Sequence, residues 1–211
     1  MGASPVQERI QAIERADSHQ SLTQAVWALA ADPEEAAIPT LIEVLGYNNP
    51  GAAVAAVEGL VRLGEAAVPS LLAQLDGYDY GARAWAIRAL ARIGDPRALA
   101  VLLEAAGSDF ALSVRRAAAT GLGHLHWSQL AERERERAQL RALGVLLGVA
   151  QDPEWVVRYA AIAGLQALAT AQPQLRRQAI AQCARLEASD SDAAVRARAA
   201  LAREQLQPGS K

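Results

Sequence analysis

Lysine, cysteine and aromatic residues are all scarce in this chain of 211 residues. Lys211 is the single lysine, so arginine supplies the rest of the basic charge, and Cys183 is the single cysteine. One cysteine excludes an internal disulfide and any zinc site built on paired cysteines, and it indicates a reducing, cytoplasmic compartment. Aromatic residues make up only 4% of a chain that is 52% hydrophobic. Alanine, leucine and valine must therefore supply the core, which is typical of closely packed helices.

The chain also lacks an excess of either charge, because 21 basic residues face 23 acidic ones and the formal net charge is −2. This balance excludes a general nucleic-acid or anionic-membrane binder. No stretch approaches the ~18 uninterrupted apolar residues of a transmembrane helix, and residues 1–15 lack the features of an export signal. We therefore expect a soluble, cytoplasmic protein that binds no nucleic acid and does not insert into membranes.

The chain contains an internal repeat. A small or branched residue precedes an arginine, and a leucine follows seven positions later, at Arg83, Arg115 and Arg158; a weaker unit follows at Arg196. Each unit has two apolar stripes of helical period joined by a turn rich in Gly, Asn, Asp or Pro. The sequence predicts an all-α fold, an α-solenoid of about five to six helix-pair repeats. The repeated leucines are Leu29, Leu60, Leu90, Leu122 and Leu165.

The turns resemble those of the HEAT-like family, in which an aspartate stands six residues before an arginine near the start of the second helix. We expect each arginine to bind turn carbonyls and a carboxylate between stacked repeats, so that the pairs form a structural ladder. These arginines are therefore poor candidates for an active site. The matching pairs are Asp109 with Arg115, Asp152 with Arg158, and Asp190 with Arg196.

Proline and glycine mark the predicted helix ends. Pro39 and Pro69 fall early in first helices, and Gly64 and Gly94 are expected to end second helices. Three Asp-Pro steps predict an N-cap followed by proline at the first helical position. They are Asp32-Pro33, Asp95-Pro96 and Asp152-Pro153.

We predict a single solenoid over residues 1–206, with a longer charged helical insertion near 126–141 and a frayed tail at 207–211. Within the insertion, residues 132–137 alternate between glutamate and arginine. Alternating charge is typical of a solvated helix face, and a helix that docks a partner is the alternative.

Two turns depart from the ladder. Tyr47 occupies the ladder position of one of them, and Gly77 occupies it in the next, where Asp76 or Asp79 could replace the missing carboxylate. The second turn leads into a cluster of aromatic residues and arginines. Flat apolar faces beside bidentate cations suit a planar, conjugated ligand with carboxylates, and they would equally suit a protein hot spot. The cluster comprises Tyr78, Tyr80, Arg83, Trp85 and Arg88.

Trp85 stands where neighbouring repeats have alanine, so it either fills a packing defect or projects into a groove. Hydrolytic or metal chemistry has little support. His124 and His126, two residues apart, are poor joint ligands on a helix, and Cys183 has no histidine near it in sequence. We expect Cys183 to be a small buried residue and expect no metal site.

Four segments of the chain resemble the F-type subunit of the heterodimeric E/F phycobilin lyases, HEAT-like cyanobacterial proteins that attach linear tetrapyrroles to phycobiliproteins. The resemblance is specific over about residues 35–125 and only repeat-like after that. The segments are 46–54 (GYNNPGAAV), 75–90 (LDGYDYGARAWAIRAL), 93–99 (IGDPRAL) and 109–119 (DFALSVRRAAA).

The resemblance implies a lyase that pairs with an E-type subunit and transfers a phycobilin, most often phycocyanobilin, to a cysteine of a phycocyanin α-subunit. The acceptor supplies the thiol and the bilin is the substrate, so we expect no cofactor. One branch of the family also isomerises the bilin and carries a His-Cys pair. Cys183 follows Gln182, so plain ligation is favoured.

The resemblance also implies roles for the cluster. Arg83 and Arg88 would pair with the bilin propionates, and Asp76 or Asp79 would bind the pyrrole N–H groups and favour the protonated, more electrophilic bilin. The other candidate substrate-binding residues are Tyr47, Asn48, Asn49, Tyr78, Tyr80 and Trp85.

Two other functions remain open for the sequence. A non-catalytic HEAT scaffold in phycobilisome assembly or turnover would not need aromatic residues and arginines gathered in one turn. A bilin carrier or chaperone would bind the pigment reversibly without forming a bond.

Overall fold

The computed structural model describes residues 4–76 and 80–207, apart from the side chain of Asp76. The described residues contain no β-strand, and their α-helices form six consecutive pairs, which confirms the all-α, HEAT-like expectation. The chain divides into two compact units, Met1–Asp95 and Pro96–Lys211. Each unit contains three of the helix pairs.

In the first unit, the second helices of successive pairs pack side by side, so that α2 contacts α4 and α4 contacts α6. Small side chains allow this close packing: α4 buries Ala52, Ala53, Ala55 and Ala56 completely. The bounds are α1 Pro5–Glu14, α2 His19–Ala31, α3 Ile38–Val44, α4 Pro50–Leu63, α5 Val68–Ala73 and α6 Tyr80–Ile93.

The second unit repeats this arrangement, with contacts between α8 and α10 and between α10 and α12. Its core again consists mainly of alanine, leucine and valine side chains. The bounds are α7 Leu99–Ser108, α8 Leu112–Gly123, α9 Glu132–Val149, α10 Trp155–Ala171, α11 Arg176–Ser189 and α12 Ala193–Leu206.

The proline and glycine expectations are confirmed at four positions. Pro39 and Pro69 each occupy the second residue of a first helix, where a missing N–H costs nothing. Gly64 ends α4 with φ of +60°, and Gly94 follows α6 with φ of +76°. A residue with a Cβ atom would be strained at both glycines.

Two of the three Asp-Pro predictions are wrong. Asp32 is the C-cap that follows α2, and α10 begins at Trp155 with Glu154 as its N-cap, so neither aspartate begins a helix. The carboxylate of Asp152 instead binds the ladder arginine of the preceding repeat and accepts the backbone N–H of Glu154 within the turn before α10. Of the three prolines in these steps, only Pro96 begins a helical segment, a short 3₁₀ turn over Pro96–Ala98.

The predicted ladder is confirmed in the second unit. Arg115 donates from Nη1 to the carbonyls of Asp109 and Phe110, at 2.9 and 3.1 Å, and from Nε and Nη2 to the carboxylate of Asp152, at 2.7 and 3.2 Å. The arginine therefore binds its own turn and the carboxylate of the next turn at the same time. This bidentate geometry is the strong form of an Arg–carboxylate pair.

The next repeat makes the same contacts. Arg158 donates to the carbonyls of Asp152 and Pro153 and, with both bonds at 2.8 Å, to the carboxylate of Asp190. Arg196 binds the carbonyls of Asp190 and Ser191 in the last turn. The ladder arginines therefore make structural hydrogen bonds between turns, as expected from the sequence.

Two glycines bring α8 and α10 into backbone contact. A Cβ atom on Gly123 would lie 2.5 Å from the carbonyl oxygen of Gly164, and one on Gly164 would collide with the carbonyl oxygen of Ala119. The two helices can approach this closely only because neither glycine carries a side chain.

The charged segment lies mostly in α9, the longest helix described, with 18 residues. Five of the six residues over 132–137 are exposed, as a solvated face requires. Residues 208–211 of the predicted tail lie outside the described residues. Among the helices described, none is long and apolar enough to span a membrane.

Candidate functional site

The α6 helix presents the aromatic and arginine residues singled out in the sequence. The guanidinium carbon of Arg88 lies 4.5 Å from the centre of the Trp85 ring, so the cation stacks on the indole. Trp85 and Arg88 are both half-buried, and Tyr80, the first residue of the helix, is 68% exposed. The structure therefore joins two predicted site residues into a flat, cationic surface.

A partly exposed ion pair joins α6 to the preceding second helix, α4. Arg92, one turn after Arg88, donates from Nη1 and Nη2 to the two carboxylate oxygens of Glu58 on α4. The hydrogen bonds from Arg92 hold the pKa of Glu58 below its usual value, although burial opposes the shift. The pair thus adds a surface link between two helices that already pack against each other.

Tyr47 and Asn48 lie in the turn between α3 and α4, and both are exposed. The Tyr47 hydroxyl donates to Glu43 Oε1 at 2.9 Å. Partial burial, followed by the hydrogen bond to Glu43, raises the pKa of Tyr47, so its hydroxyl stays protonated. Tyr47 can offer a ring face to a ligand while its hydroxyl is held by the protein.

Asn49 has a structural role, and we remove it from the candidate binding residues. Only 6% of its surface is exposed, and its Oδ1 accepts from the backbone N–H of Ala52 at 3.1 Å, capping α4. Its Nδ2 donates to the carbonyl of His19 at 2.9 Å, and Thr23 donates to its Oδ1. These bonds tie the turn to α2, so Asn49 performs the linking role that the ladder pairs perform in the second unit.

The remaining candidates fall into two groups. Arg83 is half-buried on the first turn of α6, together with Tyr80. Tyr78, Asp79 and the side chain of Asp76 lie outside the described residues, so both predicted catalytic carboxylates remain sequence predictions.

Comparisons with known proteins agree with this architecture. Models of HEAT repeats match residues 56–123 and 142–172. A phycobilisome maturation protein from Synechococcus elongatus is 54% identical over 204 residues, 96% of this chain and 98% of that protein. A phycocyanobilin lyase subunit beta from Nostoc is 53% identical over 198 residues, 94% of this chain and 98% of that protein. The chain belongs to the phycocyanobilin lyase beta-subunit family.

A solved structure supports membership in the lyase beta-subunit family. A chain from the complex of CpcE and CpcF of the Nostoc phycocyanin lyase matches with a TM-score of 0.76 and 56% identity, covering 81% of this chain and 99% of that one. A designed armadillo repeat protein matches with a TM-score of 0.61 at 18% identity, which shows a shared fold alone.

In this member of the lyase beta-subunit family, Cys183 is not an accessible nucleophile. It is completely buried in α11, as expected from the sequence, and burial raises the pKa of its thiol to about 11. At neutral pH the thiolate needed for attack is therefore almost absent.

Replacing Cys183 with alanine should therefore leave any bilin transfer at its normal rate. The measured quantity is the initial rate of chromophore attachment to an acceptor protein, with the concentration of folded protein matched by circular dichroism. A loss of transfer at unchanged helix content would show that this thiol takes part in the chemistry.

Sequence reasoning missed a second pairing of an arginine with an aromatic ring in this lyase-family chain. The guanidinium carbon of Arg198 lies 5.8 Å from the centre of the Tyr159 ring. The repeat does mark Arg198 as unusual. It follows the ladder residue Arg196 by two positions, where Ala117 and Ala160 stand in earlier repeats. Trp85 departs from alanine at the same repeat position.

Proposed function

We propose that this chain is the F-type subunit of a heterodimeric phycobilin lyase, which attaches phycocyanobilin to a cysteine of the phycocyanin α-subunit through a thioether bond. The observation that supports this proposal most strongly is that nearly the whole length of the chain matches a protein named as phycocyanobilin lyase subunit beta. A relative from Synechocystis, 52% identical over 164 residues, is named as a phycocyanin alpha phycocyanobilin lyase. The α6 surface agrees with a planar anionic substrate.

The partner in this proposal is an E-type subunit, because the matching solved structure is a complex of CpcE and CpcF. The two subunits together form the active lyase. The acceptor protein and the bilin bind to that heterodimer as its substrates, and no resident cofactor is required.

The proposed chemistry is the addition of a thiol across a double bond. The acceptor's S–H bond breaks, its sulfur bonds to the exocyclic ethylidene carbon of ring A, and the displaced π electrons take up a proton on the bilin. Atoms and charge balance without an oxidant or a leaving group. The lyase must therefore supply orientation and electrostatic stabilisation, which can contribute several powers of ten in rate.

The chain's residues can be assigned to those tasks. Arg83 and Arg88 pair with the two propionates, since a guanidinium binds a carboxylate through two parallel hydrogen bonds. Trp85 and Tyr80 offer flat faces to the conjugated system. Tyr47 and Asn48, exposed in the preceding turn, are further proposed contacts.

The residues between the α5 and α6 regions complete the proposed site. Asp76 or Asp79 accepts hydrogen bonds from the pyrrole N–H groups and keeps the bilin protonated, which makes ring A more electrophilic. Tyr78 is a further stacking residue. These three assignments follow from the sequence resemblance.

We also propose that the lyase works in the cytoplasm. Thioether formation consumes a reduced acceptor thiol, and cytoplasmic thiols are kept reduced.

The test is transfer in a reconstituted system that contains this chain, an E-type subunit, a source of phycocyanobilin and a phycocyanin α-subunit. Covalent bilin is detected as zinc-induced fluorescence of the denatured acceptor. Arg83→Ala and Trp85→Ala should each lower the initial rate by at least about a hundredfold, because a misplaced substrate loses the advantage of orientation. Helix content should be unchanged in both variants.

Arg177→Ala is the matched control, since Arg177 is an exposed arginine of α11. It should transfer bilin at the normal rate. Normal transfer by Arg83→Ala would overturn the site, and the absence of a covalent product with the unaltered heterodimer would overturn the lyase function. A coloured complex that loses its bilin on denaturation would identify a chaperone instead.

A further inference from the structure

Large apolar side chains are exposed at matching positions of two neighbouring second helices in the second unit. Leu112 stands three residues before the ladder arginine of α8, and Trp155 stands three residues before that of α10. The two residues are 42% and 44% exposed, and Tyr159, one helical turn after Trp155, is 40% exposed. These three residues and the exposed Arg116 of α8 form a surface that we call the Trp155 patch.

The packing of α8 on α10 places the members of the patch side by side. The ladder holds the start of α8 beside the turn before α10, and Gly123, the last residue of α8, lies against the backbone of Gly164. The two helices therefore run parallel, and residues at matching repeat positions lie at the same level. Leu112 is level with Trp155, and the other two members of the patch are level with each other one turn further along.

The repeat itself does not require these side chains. The matching positions of α12, the second helix of the last repeat, are Ala193 and Ala197, which are both exposed. With alanine at these positions, Arg196 still makes its bonds to the turn carbonyls. Single exposed apolar residues are common, but contiguous ones mark interaction surfaces. The bulky residues of α8 and α10 therefore indicate a binding surface.

The Trp155 patch also has an unbalanced positive charge. Neither α8 nor α10 contains an aspartate or a glutamate. The ladder arginines Arg115 and Arg158 are neutralised by the carboxylates that they bind. Arg116 has no ion-pair partner among the residues that the structure describes, the exposed Glu154 before α10 included. A partner with a carboxylate at this point would complement the surface.

The composition of the patch is that of a protein-binding surface. Tryptophan, tyrosine and arginine are the residue types that contribute most to binding energy at protein interfaces. The guanidinium carbon of Arg198, on α12, lies 5.8 Å from the centre of the Tyr159 ring and limits its motion. A ring that is already held loses little side-chain entropy when a partner binds.

We propose that the Trp155 patch binds the acceptor protein of bilin transfer, through a segment in which apolar side chains flank a carboxylate that pairs with Arg116. The inference rests on the proposed lyase function, in which an acceptor binds and leaves in every turnover. Permanent subunit interfaces are larger and more apolar, whereas a few aromatic residues beside a cation suit a transient partner. A second copy of this chain would bring two arginines together, which opposes self-association.

The first test is binding of the chromophore-free phycocyanin α-subunit to the lyase heterodimer, measured by isothermal titration calorimetry without bilin. Trp155→Ala should raise the Kd at least about tenfold, the size expected for truncating a side chain that dominates an interface. Trp155→Phe keeps a flat apolar ring and should bind within about threefold of the unaltered heterodimer. Both variants should keep their helix content and their affinity for the E-type subunit.

A second variant tests the charge of the patch. Arg116→Gln should raise the Kd about threefold at low ionic strength, the size expected for an exposed ion pair. The difference should disappear at high ionic strength, because salt screens exposed charges. Arg177→Gln is the matched control, since Arg177 is an exposed arginine of α11, and it should leave the Kd unchanged at both ionic strengths.

Transfer kinetics separate acceptor binding from the chemistry. With bilin at saturation, Trp155→Ala should raise the KM for the acceptor and leave kcat unchanged. Its KM for bilin should also be unchanged, whereas a residue that contacts bilin would alter that value.

An unchanged Kd for Trp155→Ala would overturn the proposal, as would the absence of acceptor binding by the unaltered heterodimer. Weaker assembly of Trp155→Ala with the E-type subunit, combined with a normal Kd for the acceptor, would assign the patch to that subunit and also overturn the proposal. Failure of the lyase function is a separate result, in which the acceptor binds with the expected dependence on Trp155 but no covalent product forms.

Discussion

Replacing Arg158 with alanine should lower the free energy of unfolding of the second unit by about 3 to 5 kcal/mol, the usual cost of breaking a buried ion pair by removing one partner. The side chain of Asp190 is only 3% exposed and that of Arg158 only 12%. The substitution would leave the aspartate charge without its arginine and two turn carbonyls without their donor. Denaturant unfolding followed by circular dichroism measures the loss.

The same pair predicts a pH dependence with a definite sign. Hydrogen bonds from Arg158 hold the pKa of Asp190 below its usual value, while burial opposes them. A carboxyl whose pKa is lower in the folded state contributes its full stabilisation above the unfolded pKa of about 3.9 and loses it as pH falls through the folded pKa. The fall in stability below about pH 4 should therefore be shallower in the Arg158→Ala variant.

The control is Arg116→Ala, which removes an exposed arginine beside a ladder arginine on α8. Surface substitutions of this kind change stability by less than about 0.5 kcal/mol. An Arg158→Ala variant as stable as Arg116→Ala would show that the ladder holds no net stabilisation in this protein.

Replacing Gly164 with alanine should destabilise the second unit by about 2 kcal/mol, although alanine is the better helix former. The added Cβ atom would collide with the carbonyl oxygen of Ala119 and lie 2.9 Å from the side chain of Leu146. Helices α8 and α10 would have to move apart, because a backbone oxygen cannot rotate away as the end of a side chain can. Hydrogen exchange should show faster opening of these two helices.

Gly144→Ala provides a control of opposite expected sign. Gly144 lies within α9 and is exposed, and a Cβ atom added to it would have no neighbouring atom within 4 Å among the described residues. The substitution should stabilise the protein by about 0.5 to 1 kcal/mol through helix propensity alone. If Gly164→Ala stabilised the protein by the same amount, the close backbone approach would be wrong.

Much of the fold could be predicted because the chain contains repeated units, and each unit can be compared with the others. The Asp–Arg spacing revealed the ladder, and positive φ at Gly64 and Gly94 follows from their places after helical stripes. The Asp-Pro steps misled because the same dipeptide can cap a helix or occupy a turn. Asp152 belonged to both patterns, and the ladder pattern was the right one, since its carboxylate binds Arg115, 37 residues earlier in the chain.

The site was only partly predictable for a similar reason. The stack of Arg88 on Trp85 fits their spacing of three residues on one helix. Asn49 looked available beside Tyr47 and Asn48, but its burial depends on contacts with α2, a whole repeat earlier in the chain. The backbone contact between α8 and α10 depends on Gly123 and Gly164, and neither glycine stands in a sequence pattern that predicts so close an approach.

The ladder also accommodates different chain lengths between successive turns. Arg115 and Asp152 are separated by 37 residues and Arg158 and Asp190 by 32, yet both pairs make the same bidentate contact, with Nε–Oδ2 distances of 2.7 and 2.8 Å. Extra residues before and within α9 are thus accommodated without altering the spacing of the turns. The first-helix side of a repeat can therefore differ in length while both ladder arginines keep the same contacts to the next turn.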